Sequence, residues 1–415
     1  MASVSNNIIY SKNQPSIPTI SQITNIYPTS GKDAGSGTKI VLEIPTGGGA
    51  AGQYLCGSMS YLKFNYSNKS TDKSVTLPYG GCNGLFEKVE LYSAGRLVHS
   101  LNHFADWSSV MLDVGSDPNM GTGTDDMISG QQGGGVRKGQ TVAASSKKQF
   151  CCQIPSLILN RHEDTPTYLL SGGLRLEITL VNSTDGGTWE AAASTPDFSL
   201  DDFTANLQYS NISSEAQSIV SAKNGPTPES SLSLYEVFTD VINKDETSSS
   251  KLIPCRKSSV KTIISWWKPS LAATAQQDSV SRDRLEVNSY SYVLNGKNIP
   301  TQPVTGSNEL GRNGMIMEIA RAYHRVSGGN RVGKLGADYD TSDAGRANSS
   351  TFMIAVDLEQ TSRKSNSVYS GINTFSAPPQ LIMDFNANSA TKTGYHCVHY
   401  DAVLKIANGQ MSVSI

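Results

Sequence analysis

Apolar and polar residues alternate one for one in stretch after stretch of this chain of 415 residues. In Leu174–Leu180 the sequence reads LRLEITL, with every even position apolar and every odd position polar. Side chains on a strand point alternately to opposite faces, so a period of two gives one buried face and one wet face. The same alternation runs through Phe203, Ala205, Leu207 and Tyr209, and through Val260, Thr262, Ile264 and Trp266. Phe352, Ile354, Val356 and Leu358 form another set, as do Leu381, Met383 and Phe385. Similar patterns predict strands at 39–44, 60–66, 86–92, 150–154, 235–242, 289–294 and 400–406. One-sided burial on so many strands predicts antiparallel β-sandwiches, because parallel strands are covered on both faces and read as unbroken apolar runs. The expected fold class is all-β.

Helical spacing is confined to two places. Phe104, Trp107 and Met111 predict a short helix over 102–113, with Asn102 in the capping position. Met315, Ile319 and Tyr323 lie four apart and predict a second over 308–325, weakened in its first half by Gly311 and Gly314. Charged residues make up 17% of the chain, against roughly 25% in ordinary soluble domains, and there are 37 glycines. That balance suits strands joined by long polar loops, expected at 47–52, 115–146 and 327–348, and excludes a helical bundle.

A polar segment at 213–233, holding Gly225-Pro226 and Pro228, divides the chain into halves of similar size. A strand ending in Tyr92-Ser93-Ala94-Gly95-Arg96-Leu97 precedes the first predicted helix, and Tyr292-Val293-Leu294-Asn295-Gly296-Lys297-Asn298 stands in the same place before the second. Asn295-Gly296 is a strong hairpin signal, because both residues tolerate positive φ. The expectation is two copies of one sandwich, at 38–212 and 234–415, joined by a linker at 213–233 and preceded by an N-terminal segment at 1–37. In that segment Ile17, Ile20, Ile23 and Ile26 are spaced by three, as in a short helix or an arm.

Chemistry is sparse. The chain has six histidines but no Gly-x-Ser-x-Gly elbow with a plausible nucleophile, and His99 and His103 flank the start of the first predicted helix in structural roles. His396-Cys397-Val398-His399 resembles a metal cluster, but in a strand Cys397 and His399 share one face while His396 points away, so at most two ligands converge. Residues 328–335 nearly fit a phosphate-binding loop, with Leu335 where a magnesium-holding hydroxyl belongs. Asp338, Asp340 and Asp343 lack calcium-loop spacing. Of Trp266 and Trp267, an alternating strand turns only one to solvent, and Trp266 shares parity with Ile264. No catalytic residue, cofactor or metal is expected. The formal net charge of −2 excludes a strongly basic nucleic-acid binder and a polybasic membrane anchor. The first residues carry no cationic stretch leading into an apolar run, and no run approaches the ~18 apolar residues of a membrane span. With six cysteines and no CxxC pair, free buried thiols in a soluble protein from a reducing compartment are expected.

Four pieces carry a family resemblance: residues 89–98 with the helix that follows, residues 252–264, residues 292–304, and residues 370–375 with 400–409. Together they resemble the double jelly-roll major capsid proteins of icosahedral double-stranded DNA viruses, of the polinton-like virus and virophage type. The resemblance implies two tandem eight-stranded antiparallel jelly rolls with short helices in loops, standing upright on a capsid. It implies a homotrimer whose six jelly rolls form a pseudo-hexagonal capsomer, in a shell shared with penton and minor capsid proteins and underlain by an internal membrane. It also implies a virion protein, made in the host cytoplasm or nucleus, without enzymatic activity. Trp107, Trp267 and Tyr323 are large aromatics near predicted element ends and are the candidate subunit-interface anchors. Two other readings use the same residues. A carbohydrate-binding β-sandwich, an adhesin or spike, would need a solvent-facing aromatic row, for which Trp189 and Trp267 are the candidates. A β-sandwich glycoside hydrolase would need two carboxylates about 5–10 Å apart; Glu177, Glu286 and Asp384 show no pairing in sequence.

Overall fold

The computed structural model describes residues 19–46, 52–77, 80–115, 139–161, 163–185, 188–189, 197–224, 227–269, 282–283, 285, 287–305, 314–322, 352–359, 370–386 and 390–415. Eight principal strands build the first half: β1 (Thr19–Ile26), β2 (Lys39–Ile44), β3 (Tyr61–Asn68), β4 (Phe86–Ser93), β5 (Arg96–Asn102), β6 (Lys147–Gln153), β7 (Leu174–Leu180) and β8 (Phe198–Ile212). They form two antiparallel sheets, ordered β1-β8-β3-β6 and β2-β7-β4-β5. The second half repeats the set as β9 (Glu229–Ile242), β10 (Ser248–Leu252), β11 (Val260–Pro269), β12 (Val287–Leu294), β13 (Lys297–Thr305), β14 (Ile354–Asp357), β15 (Gln380–Phe385) and β16 (Lys392–Ala407). Its sheets run β9-β16-β11-β14 and β10-β15-β12-β13, the same order position for position. In each half the chain changes sheet at every step except the fourth to the fifth strand, which is the wrapping of a jelly roll. A last strand, β17 (Gln410–Ser414), folds back on β16.

Alternation places the cores. Phe64 of β3 stacks on Phe203 of β8 at 5.4 Å, with Phe86 edge-on at 6.2 Å, and Tyr66 stacks on Phe198. The second core is more polar inside. Ser265 Oγ lies 2.9 Å from the Tyr292 hydroxyl and 2.8 Å from His396 Nδ1, and the Tyr290 hydroxyl donates to the Ala355 carbonyl. Each of these buried polar atoms thereby has a partner, as burial demands.

The hairpins joining the fourth and fifth strands are alike. Ala94-Gly95 has φ of 48° and 77°, and Asn295-Gly296 has 50° and 74°. Both central residues are left-handed, so the twist of the turn matches that of the strands. Gly296→Ala is expected to lower the stability of the second half by about 1–2 kcal/mol through left-handed strain; a denaturant midpoint equal to that of the parent would refute this.

Three expectations change. The segment read as an arm contains β1, which pairs with β8 in register from Thr19 opposite Ile212 to Ile26 opposite Ala205. The open edge of β8 supplies hydrogen bonds that outweigh a three-residue spacing of isoleucines, and Ile20 and Ile23 stay 73% and 65% exposed. Residues 1–18 lie outside the described residues. The segment read as a linker holds a helix, Ser214–Asn224, and β9 begins within it at Glu229. Ser213 caps that helix by accepting the Ala216 N–H, which compensates its polar sequence. The first predicted helix is α1 (Phe104–Gly115); the helix at 214–224 is α2, and residues 314–322 form α3. Asn102 does not cap α1: it closes β5 opposite Lys88, and His103 turns the chain with φ 53°. The loops expected at 115–146 and 327–348 fall largely outside the described residues, although Thr141–Val142 joins Val75–Thr76 and Thr188–Trp189 in a small third sheet.

Candidate functional site

The outer face of sheet β9-β16-β11-β14 is covered by β5 and α1 of the first jelly roll. Tyr235 and His399 are register partners on that face, as are Trp266 and Tyr395. Trp107 of α1 lies 5.0 Å from the Tyr235 ring, which stacks at 4.7 Å on His399. Trp266 stacks on Tyr395, and His103 meets Tyr395 edge-on at 5.3 Å. Lys268 sits over the same Tyr395 ring and pairs with Asp106 of α1. His103 Nδ1 lies 3.0 Å from Glu87. The seam is thus an aromatic layer with ion pairs at its rim.

Burial sets the charge states inside it. His99 is pushed down to about 4 by loss of solvent, only partly offset by a hydrogen bond to the Tyr235 main chain. His399 is pushed down to about 3 by burial, with the nearby Lys261 ammonium acting in the same direction. Both imidazoles are neutral at pH 7. Glu87 holds His103 above the usual imidazole range, against the opposing effect of burial. Burial raises the Cys397 thiol, beside Trp107.

Further contacts join the halves. The Met411 N–H of β17 donates to the Ser93 hydroxyl at 3.0 Å, and the Ser171 N–H donates to the Gly409 carbonyl at 3.0 Å. The Ser230 hydroxyl donates to Glu163 at 2.7 Å beside an open cleft of 760 Å³, lined from both halves by Tyr54, Arg161, Asp164, Pro228 and Leu404 among others. Such an arrangement can hold two sandwiches as one block.

The aromatics singled out from sequence have different fates. Trp107 is half-buried in the seam of its own chain. Trp267 is 0% exposed, between the two sheets of the second jelly roll against Phe352 and His396, so it cannot reach a neighbouring subunit. Tyr323 lies outside the described residues. Trp266 is buried as well, because the face opposite the core is covered by the first jelly roll. The adjacent apolar pairs Ile263-Ile264 and Trp266-Trp267 carried that signal, since a strand buried on both faces loses its alternation.

Neither alternative chemistry finds a site among the described residues. Glu177 is bound to Lys39 at 2.6 Å and Arg175 at 3.0 Å, and Asp384 accepts the Ser289 hydroxyl; Glu286 and the loops at 328–335 and 338–343 lie outside the described residues. His396 faces Ser265 in the core while His399 faces the seam, and no three His, Cys, Asp or Glu side chains gather as a metal centre among the described residues. Cys151 is half-buried and the other five cysteines are buried, all with free thiols. No helix among the described residues is long and apolar enough to cross a membrane.

Solved structures share this architecture end to end. The PBCV-1 virus capsid protein, in a quasi-atomic model, superposes with a TM-score of 0.62 over 97% of this chain and 99% of that one, at 12% identity. The chain is a double jelly roll. A chain of the Sputnik virophage structure matches this double jelly roll with a TM-score of 0.57 over 100% of this chain and 93% of that one, at 11% identity. The mavirus major capsid protein does so with a TM-score of 0.54 over 99% and 93%, at 10% identity. At such identities the likeness is one of fold. No protein-family model and no curated protein matches the sequence.

Proposed function

We propose that this double jelly roll is a major capsid protein, a non-enzymatic building block that assembles with copies of itself into an icosahedral shell. The observation that carries the reading is the pair of identically ordered sandwiches locked side by side. Two similar units per chain let a threefold assembly present six units, which fills a position of sixfold outline in a closed lattice. The structures that share the fold end to end are capsid proteins by name. The seam is heterologous: one sandwich offers its fifth strand and the helix after it, the other the outer face of its first sheet. Repeating that relation between chains sets β13 and α3 of one copy against sheet β1-β8-β3-β6 of the next, and the ring closes at three copies. That sheet offers mostly amides and hydroxyls, with Gln208 bonded to Ser21 beside the exposed Ile23 and an exposed Tyr61. The reading extends to penton and minor capsid proteins as partners, to an internal membrane beneath the shell, to the virion as location and to the host cytoplasm or nucleus as the place of synthesis. Light scattering of the purified chain is expected to give a particle of three times 44.4 kDa, hexagonal in negative stain. A monomer at high concentration would overturn the proposal. The glycan-binding alternative gains nothing from the structure, since Trp267 is buried.

A further inference from the structure

Three ionisable side chains meet at one buried point of the second jelly roll. Lys261 of β11 places Nζ 2.9 Å from Asp401 Oδ1 on β16 and 3.7 Å from Glu359 Oε1, just beyond β14. Their side chains are 16%, 8% and 7% exposed. The other oxygen of Asp401, Oδ2, accepts the Ser259 hydroxyl at 2.7 Å and the Ser370 N–H at 3.2 Å. Ser259 is itself fixed, because its oxygen accepts the Gly371 N–H at 2.9 Å, and the Ser370 hydroxyl donates to Glu359 at 2.8 Å.

A buried ion pair contributes little net stability, because desolvation cancels most of the attraction. Attraction alone calls for no second carboxylate against the same ammonium. Nor does it call for two donors on the carboxylate oxygen remote from the lysine. Those are the parts of an acyl-transfer site: a nucleophile held against a carboxyl group, donors where negative charge will develop, and a group to move protons.

We propose that Lys261 and Asp401 condense to an intramolecular isopeptide bond, with Glu359 carrying the protons. Glu359 takes a proton from the Lys261 ammonium and delivers it to Asp401 Oδ1. The amine lone pair then forms the Nζ–Cγ bond while the carbonyl pair moves onto Oδ2, held by Ser259 and Ser370. Through Glu359 a second proton passes from nitrogen to Oδ1, the Cγ–Oδ1 bond breaks and water leaves. One ammonium and one carboxylate become one amide and one water, and no oxidant or activated co-reactant is required. The cross-link closes the chain from residue 261 to residue 401, most of the second jelly roll, and it is independent of the capsid reading.

The test is the denatured intact mass of the purified full chain. It is expected to be lighter than the sequence mass by one water. A tryptic map is expected to show one branched peptide joining Lys261 to Asp401, with no cleavage after Lys261. Lys261→Ala and Asp401→Ala restore the sequence mass. Glu359→Gln, which keeps both reacting groups, is expected to leave most of the chain unlinked; full linkage in that variant would overturn the role of Glu359. Wild-type chain at the full sequence mass, or a water loss mapped to any other residue, would overturn the bond itself, and neither result depends on a variant folding.

Discussion

Trp267→Ala is expected to cost about 3–5 kcal/mol of folding stability, the range for truncating a buried tryptophan. The indole is fully enclosed between the sheets of the second jelly roll, packed on Phe352 and His396. Removing it leaves a cavity that two hydrogen-bonded sheets cannot close without breaking their ladders. The melting temperature should fall by on the order of 10 °C in a unit of this size. A subunit-interface anchor would behave in the opposite way: truncation would lower the particle mass and leave the stability of the chain unchanged. Calorimetry and light scattering on the same sample separate the two. An unchanged melting temperature with loss of association would contradict the placement of Trp267.

Acidification is the second perturbation with a large effect. His399 and His99 ionise at about 3 and about 4 in the folded chain, and near 6.5 when unfolded. Above 6.5 neither state binds the protons, so these groups then cost nothing. As pH falls below 6.5 the unfolded chain takes up protons that the folded chain refuses, and stability is lost until the folded groups titrate near 4 and 3. At pH 5 the solution is about 1.5 pH units below the unfolded value while both folded imidazoles are still neutral, so the pair removes roughly 4 kcal/mol. His103 acts with the opposite sign: raised by Glu87, it contributes stability at low pH that fades as pH rises through its folded value. The expected result is a denaturation midpoint markedly lower at pH 5 than at pH 7.5, and less so in His399→Phe. Equal midpoints at the two pH values would refute the buried neutral pair.

The sandwich core was legible in the sequence because a half-exposed strand writes its geometry as alternation, as Leu174–Leu180 does. The repeat of the halves was legible at Ala94-Gly95 and Asn295-Gly296, where the turn dictates residue type. The seam was not. Its strands are covered on both faces, so Trp266 and Trp267 read as one core residue and one surface residue when both are buried. The pairing of β1 was hidden for another reason: an edge strand held by backbone bonds makes few demands on its side chains, and Ile20 and Ile23 remain in solvent. Lys261, Asp401 and Glu359 carry no signal in sequence, since they come from two strands and the segment after a third and converge only through the fold.

The strand order has a consequence for how this chain comes to be folded. Among the described residues, the first strand of each jelly roll pairs only with the eighth: β1 with β8, and β9 with β16. The first strand emerging from the ribosome therefore waits for the last one of its own sandwich, with an unpaired edge throughout. Contacts of this sequence separation make folding slow and aggregation-exposed. Each sandwich can complete its first sheet only after its own segment is made, and the seam follows, since Trp107 and Ser93 must wait for Tyr235 and Met411. The order of synthesis thus becomes an order of assembly: first sandwich, second sandwich, then the join between them.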